Sequence, residues 1–132
     1  MRSITGFGLL AMLCSISSGS WAADTTIDDK TFGCIRDMTP VREFFVSNLQ
    51  GNLDGTLAVS NAGTGKYPEG SVIQLVPTEV MVKREEGFSP VTKDWEFIEL
   101  QVSDQGTKIA KRGTTDIVNQ FGGNCFACHV KA

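Results

Sequence analysis

The chain opens on an apolar run and then changes its hydrophobic rhythm several times. From Ile4 to Ile16 it carries no charge, and Ile4, Phe7, Leu9, Leu10, Ala11, Met12 and Leu13 supply the apolar mass. Arg2 precedes this run, and the small residues Ser20 and Ala22 close it. The run is well short of the ~20 residues that span a bilayer. A positive start, a short apolar middle and a small-residue exit predict an export signal over 1–22, cut after Ala22. Cys14 lies inside that signal, behind a Leu13 too bulky for a lipid-attachment site.

From Ala23 the pattern reads as a single domain with a polar, acidic lead-in to Lys30. Val41, Phe44, Phe45 and Leu49 recur at helical spacing, Thr39 can cap and Pro40 suits a first turn. A helix is therefore predicted over 40–49, ended by Gly51 and Gly55. The stretch 52–62 fits neither period well, and Thr56–Val59 is read as a candidate short strand. Tyr67-Pro68-Glu69-Gly70 marks a turn. Four strands follow, over 71–76, 79–84, 95–102 and 107–111. On the third, Trp95 and Phe97 share one face while Ile98, Leu100 and Val102 share the other. Apolar residues on both faces predict a central strand, or one covered by a helix or a cofactor. The short connections imply an antiparallel meander. A second helix is predicted from Thr114 to about Phe121, stopping at Gly122-Gly123. The fold class is α+β, mainly an antiparallel β-sheet with flanking helices.

Charge narrows the function classes. The formal net charge is -3, and loss of Arg2 with the signal makes it one unit more negative. A nucleic-acid binder would need a basic face. A single His excludes a multi-His metal site. Three cysteines remain in the exported chain, Cys34, Cys125 and Cys128, an odd number for an oxidising compartment.

Two of those thiols fall in Cys125-Phe126-Ala127-Cys128-His129, the attachment signature of a c-type haem. Two thiols must reach the two vinyl groups on one porphyrin edge, and the adjacent His must bring an imidazole nitrogen to the iron. Asn124 can cap a short helix on which Cys125 and Cys128 lie one turn apart. Haem c is attached after export, and the signal provides export independently of the motif. Three other readings stand beside this one. Cys125 and Cys128 can form a tight disulfide with His129 at the surface. Cys34, Cys125, Cys128 and His129 can form a Cys3His zinc site, making the chain a non-haem exported β-domain that acts as a binding module. A thiol redox motif would want a βαβ setting, which the pattern lacks.

With that motif near the C-terminus and a β-rich stretch before it, the region from Phe32 to His129 resembles the cytochrome P-460 family. Tyr67-Pro68-Glu69-Gly70-Ser71, Met81-Val82-Lys83, Asp94-Trp95-Glu96-Phe97 and the terminal motif carry the likeness. The resemblance implies a mostly antiparallel sheet, often in a homodimer. It implies one covalent haem c attached through Cys125 and Cys128, with His129 as proximal iron ligand and an open or weakly filled distal side. Hydroxylamine-oxidising members also cross-link a lysine to the porphyrin, and Lys83 or Lys66 is the candidate here. The sequence departs from the family in stopping at Ala132, where members run further, so the segment that closes their pocket and a partner for Cys34 are expected to be missing here.

The remaining candidates follow from needing to hold a haem. Phe121 and Phe126 are held near it by the chain, and Phe44, Phe45, Phe88, Trp95 and Phe97 are candidates for its wall or for plain core. Met38 or Met81 could be a sixth ligand, which would raise the potential and suit electron transfer. An absent sixth ligand would suit NO or CO. Arg84 or Arg112 could pair with a propionate, and Glu96 or Asp94 could move protons in an oxidase. Cys34 is left as an inert or intermolecular thiol. The expected protein is a periplasmic monohaem cytochrome whose partner is a redox protein or a small nitrogen oxide.

Overall fold

In the computed structural model, which describes residues 25–75 and 78–131, the fold is a six-stranded antiparallel sheet with few helices. The segment predicted as an export signal, with Cys14, and Val76-Pro77 at the end of one predicted strand lie outside the described residues. The strands run side by side in chain order: β1 (Thr39–Val41), β2 (Phe44–Asn48), β3 (Ser71–Leu75), β4 (Glu79–Lys83), β5 (Trp95–Ser103) and β6 (Gly106–Gly113). The last four match the predicted meander to within two residues. Their β-branched alternation, broken by turn residues, admits few other conformations.

Three expectations are corrected. The helix predicted over 40–49 is a β1–β2 hairpin, with Pro40 opposite Phe45 and Val41 opposite Phe44. The chain reverses at Arg42, whose φ of 52° is left-handed. The same apolar residues serve a period of two as well as a helical one. The candidate strand at Thr56–Val59 belongs instead to α1 (Leu53–Ala62). Asn52 caps α1 by accepting from the Gly55 N–H at 3.1 Å, and Gly63 ends it at φ 70°. The helix predicted over 114–121 is irregular chain, closed by a bridge between Val118 and Asn124.

The register divides the sheet into two faces. Val72, Val80, Val82, Ile98 and Leu100 point to one side and bury against Ile27 and Phe32 of the N-terminal segment. Val46, Ile73, Met81 and Phe97 form a row across the other side. α1 covers one end of that second side. Its buried contacts are polar: Thr56 Oγ1 lies 2.7 Å from Ser71 Oγ, which donates to the Pro68 carbonyl at 2.7 Å. β5 is central, with Glu96 to Leu100 buried in sequence, as its two apolar faces predict.

A buried charge cluster fastens the N-terminal segment to the sheet. Glu96, opposite Val82 on the Ile27 side, accepts from Arg84 Nη1 at 2.7 Å and from Arg112 Nε at 2.6 Å. Arg112 Nη1 then donates to the Ile27 carbonyl at 2.7 Å. Removing the carboxylate leaves two guanidinium groups against a closed interior. Glu96→Ala is expected to cost about 3 kcal/mol in urea unfolding, at the low end for a broken buried pair because Arg112 is partly exposed. Glu86→Ala, which breaks an exposed pair with Lys66 at 3.8 Å, is expected to cost less than about 1 kcal/mol.

Candidate functional site

The motif Cys125-Phe126-Ala127-Cys128-His129 forms α2 (Cys125–His129), as the sequence predicts. Five residues do not make a stable helix alone, so local contacts must fix it. Asn124 Oδ1 accepts from the Ala127 N–H at 2.8 Å, and Asn124 Nδ2 donates to the Thr115 carbonyl at 2.9 Å. The Cys125 N–H donates to the Ile117 carbonyl at 3.0 Å. Asn119 organises the preceding loop. Its Oδ1 accepts from the N–H groups of Phe121 and Gly123, and its Nδ2 donates to Glu79 Oε1 at 2.8 Å. That last bond pins the loop to β4, so α2 is held over the sheet side that carries the Val46–Phe97 row.

On this side α1 and α2 cover different parts of the sheet. Two cavities lie there, and both are bordered by Phe44, Ile73, Met81, Phe97 and His129. The smaller, about 250 Å³, is also bordered by Cys125, Cys128 and Glu79. The larger, about 650 Å³, reaches α1 and is bordered by Ser60, Arg42, Lys93, Trp95 and Phe126. The His129 ring stands against Phe97, with centroids 5.3 Å apart.

The surroundings set the protonation states. Burial lowers the His129 pKa, with Glu79 acting in the opposite direction. The ring is therefore neutral near pH 7, the form that ligates a metal. Burial raises the Cys125 pKa, and Glu79 and Glu99 add to the rise. The thiol is therefore protonated near neutral pH. Cys34 is an exposed thiol before the short turn Ile35–Asp37. Among the described residues no group of three or more His, Cys, Asp or Glu side chains could hold a metal ion. The four ligands of the zinc alternative are thus not assembled, and Cys125 and Cys128 are thiols, not a disulfide.

The other sequence-derived candidates divide by sheet face. Phe44, Trp95, Phe97 and Phe126 border the larger cavity, and Met81 borders both. Phe121 is 78% exposed and borders neither. Its loop is shaped by Asn119, which leaves the ring on the outside. Phe45, paired with Gln74, points away from the cavities, and Phe88 lies under the Arg84 guanidinium at the surface. Met38 packs on the opposite core. Glu96, Arg84 and Arg112 satisfy one another on that same opposite side. Asp94 accepts from the Gly87 and Ser89 N–H groups and shapes a loop.

Lys83 and Lys66 border a third cavity, of about 380 Å³, and neither borders the pair that shares His129. Lys83 is 8% exposed, stacks its ammonium over Trp95 and donates to the Lys93 carbonyl. Lys66 is exposed beside Glu86. Sequence reasoning missed Arg42, Ser60 and Lys93. Arg42 and Lys93 occupy left-handed corners with no glycine to signal them, and Ser60 lies on a helix without a clear apolar stripe.

Comparison with protein-family models, curated proteins and solved structures returns no match.

Two measurements check this geometry. Asn124→Ala removes the cap of α2 and is expected to cost about 1 kcal/mol in urea unfolding. Burial also holds the Lys83 pKa below its ordinary 10.5, opposed in part by Asp94. Between the lowered folded value and the unfolded value the folded protein binds fewer protons, so stability rises with pH across that interval. The rise is expected to disappear in Lys83→Met, as read from urea midpoints between pH 7 and 10.5.

Proposed function

We propose that the protein is an exported monohaem c-type cytochrome with a cytochrome P-460-like fold. In this reading one haem is held through thioethers to Cys125 and Cys128, with His129 as iron ligand. The observation that carries it is the convergence of the motif with the cavities. Two thiols and a neutral imidazole, on one capped helix, border an apolar recess built from Phe44, Ile73, Met81 and Phe97.

The donor set fits a haem. The two thiols border the smaller cavity, of about 250 Å³, and the larger one that shares His129 with it, of about 650 Å³, falls within the ~300–1,000 Å³ of ordinary cofactor sites. Bound there, a haem would supply a one-electron couple and an iron able to take a small ligand. The chain's own residues attach it, orient it and keep water away. Phe97 supports the His129 ring, and Phe44 and Phe126 wall the recess.

The character of the walls favours electron transfer, or binding of a neutral diatomic such as NO, over hydroxylamine oxidation. Oxidation needs a group to move protons, and the two carboxylates considered for it are engaged elsewhere. Glu96 is bound by arginines on the opposite face and Asp94 by loop amides. Cross-linking through Lys83 would require it to leave the Lys93 carbonyl and pass Trp95. Among the described residues no helix is long and apolar enough to cross a membrane.

The test uses full-length protein exported from cells that mature haem c. Oxidised and dithionite-reduced spectra are expected to show a haem with an unshifted reduced Soret band, which moves on addition of NO. The double variant Cys125→Ala/Cys128→Ala is expected to lose all haem on denaturing gels. A strongly red-shifted reduced Soret band would replace this reading with a cross-linked oxidase. Absence of any Soret band would remove the cytochrome altogether.

A further inference from the structure

The two cavities that share His129 differ in charge from one end to the other. At the motif end, Glu79 borders the smaller cavity beside the two thiols. At the α1 end, the larger cavity is bordered by Arg42 and Lys93 and by no carboxylate. A porphyrin has the same asymmetry: its vinyl edge is apolar, and its opposite edge carries two propionates. We infer that Arg42, Ser60 and Lys93 form a carboxylate-binding end that takes the two haem propionates. This rests on the haem reading above and deepens it.

Arg42 and Lys93 are placed by contacts that a plain surface position would not need, and Ser60 is buried. The Arg42 guanidinium lies across the C-terminus of α1, where Nη2 donates to the Asn61 carbonyl at 3.0 Å. That carbonyl takes one N–H of a five-donor fork. Ser60, next to Asn61, is 1% exposed, and its Oγ has no hydrogen-bond partner among the described residues although it borders the cavity. A buried hydroxyl without a partner is disfavoured by about 1–3 kcal/mol, and a carboxylate in the cavity would satisfy it.

Lys93 follows the turn Pro90–Thr92 and is one of two consecutive left-handed residues, with φ 53° at Lys93 and 63° at Asp94. Such backbones persist where their surroundings fix them. Here the fixing is extensive. Lys83 donates to the Lys93 carbonyl, the Arg84 N–H to the Asp94 carbonyl at 2.8 Å, and the Asp94 carboxylate accepts from two loop amides. Lys83 is thus a positioning residue for the corner that carries Lys93. Of the three left-handed residues other than glycine among the described residues, Arg42 and Lys93 both border this cavity.

The experiment measures the midpoint potential of the haem-loaded, full-length protein against pH, where propionate ionisation appears as a bend. Two cations and a hydroxyl hold that ionisation low. In Arg42→Gln/Lys93→Gln the bend is expected to move up by roughly one pH unit or more, with the potential lowered at neutral pH. Ser60→Ala is expected to move the bend in the same direction by less. Lys66→Gln removes an exposed cation outside both cavities and is expected to leave the curve unchanged. Arg42→Lys keeps the charge and should restore most of the wild-type curve. A haem-loaded double variant with the wild-type curve overturns this inference and leaves the cytochrome reading standing. Wild-type protein that carries no haem overturns both.

Discussion

The central strands are apolar on both faces, and the rest of the structure answers that constraint. Val72, Val80, Val82 and Ile98 face one way, and Val46, Ile73, Met81 and Phe97 face the other. A sheet with two apolar faces must be covered twice to leave water. The first side is closed by the chain itself, through Ile27, Phe32 and the Glu96 cluster that ties the N-terminal segment down. The second side is shared between α1, which packs through the buried hydroxyl of Thr56, and α2, a five-residue helix. Two short helices cannot cover such a face, and the apolar recess that shares His129 lies in the ground between them.

This division separates stability from chemistry. The charges of Glu96, Arg84 and the partly exposed Arg112 are satisfied on the closed side, where they fasten chain segments. The groups suited to a cofactor, two thiols, an imidazole and an orphan hydroxyl, lie on the other. Even Lys83, which looks like chemistry in the sequence, spends its ammonium on a backbone carbonyl. It does so to hold a strained corner that presents another lysine.

Strands β3 to β6 were legible because β-branched residues alternate there between turn signals. The motif helix was legible because Asn124 is a strong cap and the Cys-x-x-Cys-His spacing is specific. The β1–β2 hairpin was not. Val41, Phe44 and Phe45 satisfy a helical period by coincidence, and the reversal occurs at Arg42 without glycine or asparagine. α1 escaped the hydrophobic pattern because the residues it buries, Thr56 and Ser60, are polar, and the Ser71 and Asn48 partners of Thr56 are invisible in one dimension. At the site, proximity along the chain brings Cys125, Phe126, Cys128 and His129 to the border of the two cavities. It failed for Phe121, which a loop hydrogen-bonded through Asn119 turns outward. Arg42, Ser60 and Lys93 come from three distant segments, so nothing short of the fold brings them to one cavity.

The central claim is that Cys125 and Cys128 carry a porphyrin. The most direct measurement is the intact mass of the protein exported from cells that mature haem c, taken under denaturing conditions that strip any non-covalent group. The account predicts the mass of the exported polypeptide plus one haem, with fragmentation assigning the addition to Cys125–Cys128. A bare polypeptide mass, or one lowered by the two hydrogens of a Cys125–Cys128 disulfide, would contradict it.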